Sequence, residues 1–62
     1  MTYLVTYRID YGKLENKVRY RTEFILKSNF TEEYLKERMA SMWRRWEATS
    51  VAITFVKEVP DA

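Results

Sequence analysis

From Thr2 to Asp10 side chains alternate without a break. Tyr3, Val5, Tyr7 and Ile9 point one way, and Leu4, Thr6, Arg8 and Asp10 point the other. A period of two is the pattern of a strand with one buried face. Asp10-Tyr11-Gly12-Lys13 reads as the turn that follows, because Asp suits its first position and the only Gly in the chain suits a positive φ. Centring the turn on Tyr11-Gly12 would pair Ile9 with Leu14, Val5 with Val18, Tyr3 with Tyr20, and Arg8 with Glu15 on the far side. The second strand is expected from Leu14 to Lys27. In this register Leu14, Val18, Tyr20, Thr22, Phe24 and Leu26 face inward. Glu15, Lys17, Arg19, Arg21, Glu23, Ile25 and Lys27 face outward.

The alternation ends at Ser28-Asn29-Phe30-Thr31. Asn29 or Thr31 can cap a helix, and Glu32 and Glu33 stand where the helix dipole favours negative charge. The spacing predicts a helix from about Thr31 to Ala48. Leu35, Met39, Met42 and Trp46 form one stripe, with Trp43 on its shoulder. A last strand is expected from Ser50 to Val59, with Val51, Ile53 and Phe55 on one face and Ala52, Thr54 and Val56 on the other, stopped by Pro60. The expected fold is α+β, in the order β-β-α-β over a single domain of residues 1–62. Strand three can pair with strand one (order 2-1-3, all antiparallel) or with strand two (order 1-2-3, mixed). The apolar character of strand one favours 2-1-3. One helix covers one sheet face and leaves the other open.

Composition narrows the chemistry. The 62 residues contain no His and no Cys, so nucleophile–base pairs and metal sites lack their usual members, and no cofactor is expected. Ser28, Ser41 and Ser50 have no His to activate them. With one Gly there is no phosphate-cradling loop. Aromatics are 16% of the chain, and in a domain this short large rings must carry much of the burial. The composition points away from an enzyme and toward a small binding module. The N-terminal segment carries Arg8 and Asp10 where a secretory signal needs an apolar core, and no stretch is long enough to span a bilayer. Together with the lack of cysteine, this predicts a cytoplasmic protein.

Three surfaces are candidates. The helix carries Trp43, Arg44 and Arg45, with Arg45 on a flank shared by Tyr34, Arg38 and Ser41. Trp and Arg are the residue types most enriched at interface hot spots, and these cations suit a protein partner with an acidic surface. The open sheet face would hold Arg8, Lys17, Arg19 and Arg21, the alternative site for nucleic acid. A net charge of +2 and the interspersed Glu15 and Glu23 would keep such binding weak. The third surface is the long second strand, a free edge at which a homodimer could pair. In size and element order the whole chain resembles small phage-encoded proteins that bind and inhibit host enzymes, although no specific residue carries that resemblance. It implies an inhibitor or regulator that works by occupying a partner's surface.

Overall fold

The computed structural model describes residues 1–60; Asp61 and Ala62, the end of the expected domain, lie outside the described residues. Strand β1 (Thr2–Tyr11) is followed by β2 (Lys17–Leu26), helix α1 (Glu32–Trp46) and β3 (Ala48–Val59). The sheet is antiparallel throughout in the order β2-β1-β3, so the apolar first strand is central. A single 3-10 turn, Lys27–Asn29, joins β2 to the helix. Thr31 is the cap: its side-chain oxygen accepts a hydrogen bond from the Tyr34 amide at 3.2 Å. Glu32 and Glu33 occupy the first turn and Arg44 and Arg45 the last, each sign at the end where the dipole favours it. The helix ends at Glu47, whose φ of 49° is left-handed.

Val5, Tyr7, Ile9, Ile25, Met42 and Ala48 are the buried core. Leu35, Met39 and Trp46 pack against it, as their stripe predicts, together with Val51 and Ile53 of β3. Tyr3 and Phe30 close one end of the core, with ring centroids 4.4 Å apart.

The hairpin register differs from the one expected, and the difference reverses a face. Tyr3 lies opposite Ile25, Val5 opposite Glu23, Tyr7 opposite Arg21 and Ile9 opposite Arg19. β1 runs through Tyr11, and residues 12–16 form a loop in place of the tight turn. Leu14 sits in that loop, fully exposed, instead of pairing with Ile9. The shift from the expected pairing is an odd number of residues, so every side chain of β2 changes side. Arg19, Arg21, Glu23 and Ile25 face the helix, while Val18, Tyr20, Thr22, Phe24 and Leu26 face the open side.

The physical reason is the buried Tyr7 hydroxyl. It needs an acceptor, and this register places Glu23 diagonally across from it, where it donates to Glu23 Oε1 at 2.7 Å, whereas the expected pairing sets Asn16 opposite Tyr7 and carries Glu23 past the end of β1. Helix α1 lies mainly over β3 and β1. The helix-facing side of β2 can therefore carry long charged side chains that fold along the helix flank.

β3 holds a second departure. Its pairing with β1 shifts between Thr6 and Tyr7 and again between Asp10 and Tyr11. The first irregularity takes up Thr54, whose hydroxyl donates to the Thr6 carbonyl at 3.3 Å. Val51 and Ile53 stay opposite Ile9 and Tyr7 on the helix side, but Phe55 moves opposite Thr6 onto the open face, and Val56 comes to lie opposite Val5. Strict alternation would keep Phe55 on the side of Val51 and Ile53, and the irregularity overturns that expectation.

Gly12 makes the hairpin loop possible. Its φ is 88°, and a Cβ there would overlap the Glu15 carbonyl oxygen. Gly12→Ala is expected to cost about 1–2 kcal/mol in chemical denaturation. Gly12→Asn should not recover it, because the obstacle is the Cβ itself and not only the sign of φ. Recovery by Asn would show that the loop does not approach Gly12 this closely.

Candidate functional site

The open face of the sheet is built in rows across β2, β1 and β3. They read Leu26-Thr2-Val59, Phe24-Leu4-Lys57, Thr22-Thr6-Phe55, Tyr20-Arg8-Ala52 and Val18-Asp10-Ser50. Paired residues of an antiparallel ladder share a face, so the registers alone place these side chains together. Tyr20 is 61% exposed, Phe24 70%, Leu26 57% and Phe55 49%. Single exposed apolar residues are ordinary on a protein surface, but a contiguous sheet face of them is not. Near its centre the Thr6 and Thr22 hydroxyls share a hydrogen bond at 3.2 Å.

Charge on this face is sparse. Arg8 pairs with Asp10 at 3.2 Å, which leaves Lys57 as the face's other charged residue. The four cations proposed for nucleic acid are therefore not one surface: Arg8 is on the open face, and Lys17, Arg19 and Arg21 are on the helix side. Arg19 has a definite role there. Its guanidinium lies 4.5 Å from the centre of the Trp46 ring, which meets Tyr11 at a centroid distance of 5.7 Å on the same side of the sheet. The Trp46 Nε1 is buried and has no hydrogen-bond partner among the described residues.

The helix-flank residues stay together, apart from Trp43. Arg38 holds Glu23 through two hydrogen bonds, Nε to Oε1 at 3.3 Å and Nη2 to Oε2 at 2.8 Å. Burial alone would raise the Glu23 carboxyl, but the hydrogen bonds from Arg38 and Tyr7 outweigh it and hold Glu23 below its ordinary value. Burial, reinforced by the bond to Glu23, pushes the Tyr7 hydroxyl well above its ordinary range. The Arg38 guanidinium, bonded to Glu23, is held above its own. Arg38 is thus a structural cation rather than a free contact. Tyr34, Glu37, Arg38, Ser41 and Arg44 line a shallow depression, and Arg45 lines an adjoining one with Arg38, Ser41, Arg21 and Trp46. Trp43, 48% exposed, is on the opposite shoulder of the helix from Arg45, as a turn of 100° per residue requires.

Tyr20, Phe24, Leu26 and Phe55 were not among the site residues read from sequence. The signal that could have found them is the apolar alternation of residues 18–26, which is equally regular whichever face it serves. Among the described residues no helix is long and apolar enough to cross a membrane. Comparison with protein-family models, with curated proteins and with solved structures finds no match.

Proposed function

We propose that this protein is a small non-enzymatic binding module whose working surface is the open sheet face, covered in use by another protein surface. One observation carries the reading. The hairpin register gathers Val18, Tyr20, Phe24 and Leu26 on the side the helix does not cover, and the β3 irregularity adds Phe55. Aromatic anchors on a face with little net charge suit the apolar centre of a protein interface. An inhibitor or regulator that acts by occupying a surface, working in the cytoplasm, is the role this fits. Arg44 and Arg45 on the exposed helix, with Trp43, supply a subsidiary contact for acidic groups.

Nucleic acid is the second reading, favoured by the same aromatics. Exposed rings on a sheet are what a single-strand stacking platform uses. Against it, Arg8 is already paired and Lys57 stands alone, so the face offers about two phosphate contacts. The log–log salt slope for single strands should be no steeper than about −1.4.

The test is capture from lysate by the parent chain, by Phe24→Asp, and by the pair Arg44→Glu with Arg45→Glu, each with and without nuclease. Loss in Phe24→Asp alone, insensitive to nuclease, is the expected result. Loss confined to the arginine variant would move the site to the helix, and nuclease-sensitive capture would favour the second reading.

A further inference from the structure

We infer that the open sheet face closes on a second copy of this chain, forming a six-stranded sandwich whose twofold axis runs along β1. The inference rests on reading that face as an interface, and it names the partner.

The first argument is row-by-row complementarity. A twofold axis parallel to β1, lying between two facing sheets, sets β2 of one copy over β3 of the other and keeps each row in step. Tyr20 then meets the partner's Ala52, and Thr22 meets the partner's Phe55, large over small in both cases. Leu26 meets the partner's Val59, and Val18 meets the partner's Ser50. Phe24 meets the partner's Lys57, an aliphatic stem ending in a cation over a ring. Each contact occurs twice, as an isologous interface requires.

Facing sheets are rotated by about 30°, and neighbouring strands lie about 4.8 Å apart. Such a rotation displaces an edge strand along its length by about 2–3 Å, and moves side chains sideways by about 3 Å one row from the centre and about 7 Å two rows out, against the roughly 4.8 Å between strands. The three central rows, those of Tyr20, Thr22 and Phe24, therefore keep their partners through the twist, and the end rows of Leu26 and Val18 move toward the partner's neighbouring strand. A twofold axis running across the strands would instead stack Tyr20 and Phe24 of β2 over β2 of the partner and lose this matching of sizes.

The second argument is charge. In the proposed arrangement the two copies of Lys57 lie on opposite sides of the axis. On the axis Arg8 faces the partner's Arg8 and Asp10 the partner's Asp10, and the Arg8–Asp10 ion pair within each copy leaves the four groups with no net charge.

The third argument is area. A face three strands wide and ten residues long measures about 14 by 33 Å, and its side chains roughen it. Burial against a copy would remove on the order of 700 Å² per protomer, close to the roughly 800 Å² of a standard stable interface. The chain has surface to spare. Its radius of gyration is 12.6 Å, against about 10.6 Å for a compact domain of this length.

The test is sedimentation equilibrium of the full chain from micromolar to near-millimolar concentration. The parent should rise from 7.6 kDa to twice that mass. Phe24→Asp, on an exposed side chain, should stay at the monomer mass with its circular dichroism unchanged and its melting that of the parent at dilutions where the parent is monomeric. Ala52→Trp and Tyr20→Ala should each weaken association at least ten-fold, and the double variant should restore most of the loss, because the two positions meet across the interface. A parent that remains at 7.6 kDa throughout overturns the second copy as occupant. If capture from lysate still depends on Phe24, the face reading stands without it. Dimers that persist unchanged in Phe24→Asp, or a double variant no better than the worse single one, would place the contact elsewhere, as at the β2 edge, and overturn the inference.

Discussion

Replacing Trp46 with alanine is expected to lower the unfolding free energy by about 3 kcal/mol. For a chain of 62 residues that is a third or more of a total near 3–9 kcal/mol. Trp46 is the last residue of α1 and packs against the core from a partly buried position. Tyr11 lies against its ring on one side and the Arg19 guanidinium covers it. Alanine would remove the ring that pins the helix C-terminus to the sheet and would expose both neighbours. Partial burial keeps the expected cost at the low end for a tryptophan truncation. Trp46→Phe keeps a ring in place and removes an indole N–H that is buried with no hydrogen-bond partner among the described residues, so it should cost less than about 1 kcal/mol. Arg19→Ala should cost no more than about 1 kcal/mol, the scale of an exposed cation–π contact. Urea denaturation of the three variants measures all of these. A midpoint for Trp46→Ala within error of the parent would show that the helix end is held by other contacts.

The strand and helix patterns were legible because each obeys a single period. Tyr3, Val5, Tyr7 and Ile9 do face the helix, Leu35, Met39, Met42 and Trp46 do form its inner stripe, and the sheet order is 2-1-3. What was not legible depended on choices between regular patterns. The alternation in β2 has apolar residues at even positions, and it reads as well with that face covered as with it open. Deciding the side requires the loop length, and a Gly suits both a tight turn and the longer loop found at residues 12–16. The deciding contact is tertiary: Tyr7 buries a hydroxyl that Glu23 must satisfy. The irregularity at Thr54 likewise leaves no mark in a count of alternating residues, yet it turns Phe55 from one face to the other. Both departures act in the same direction. Both bring aromatics onto the open face, the irregularity at Thr54 adding Lys57 with Phe55, and the register change takes Lys17, Arg19 and Arg21 off it, which is why the candidate site read from sequence was basic and the one in the structure is apolar.

Removing the Glu23 carboxylate is expected to cost about 2–3 kcal/mol, more than its position on an edge strand suggests. Glu23→Ala leaves the Tyr7 hydroxyl without its acceptor at a fully buried residue and takes the anion from Arg38. Arg38 retains enough exposure, at 35% of its side chain, to regain water, so the larger share of the loss falls on Tyr7. The remedy should be apolar. Adding Tyr7→Phe to Glu23→Ala removes the stranded donor and should recover part of the loss, the non-additivity expected of groups in one network.

The same network sets a pH dependence whose sign differs at its two ends. Glu23 titrates lower in the folded chain than its ordinary 4.5, so its contribution is present above about pH 4.5 and is lost as the pH falls through the depressed folded value. Tyr7 titrates higher than its ordinary 10.0, so its contribution is present below about pH 10 and is lost as the pH rises toward the folded value. The difference in stability between the parent and Glu23→Gln should therefore shrink on acidification below about pH 4.5. The difference between the parent and Tyr7→Phe should turn against the parent above about pH 10. Thermal melts of the three chains across that range provide the measurement. A parent and Glu23→Gln that stay parallel down to pH 2 would mean that Glu23 is not held by Arg38 and Tyr7, and the register built on that contact would fall with it.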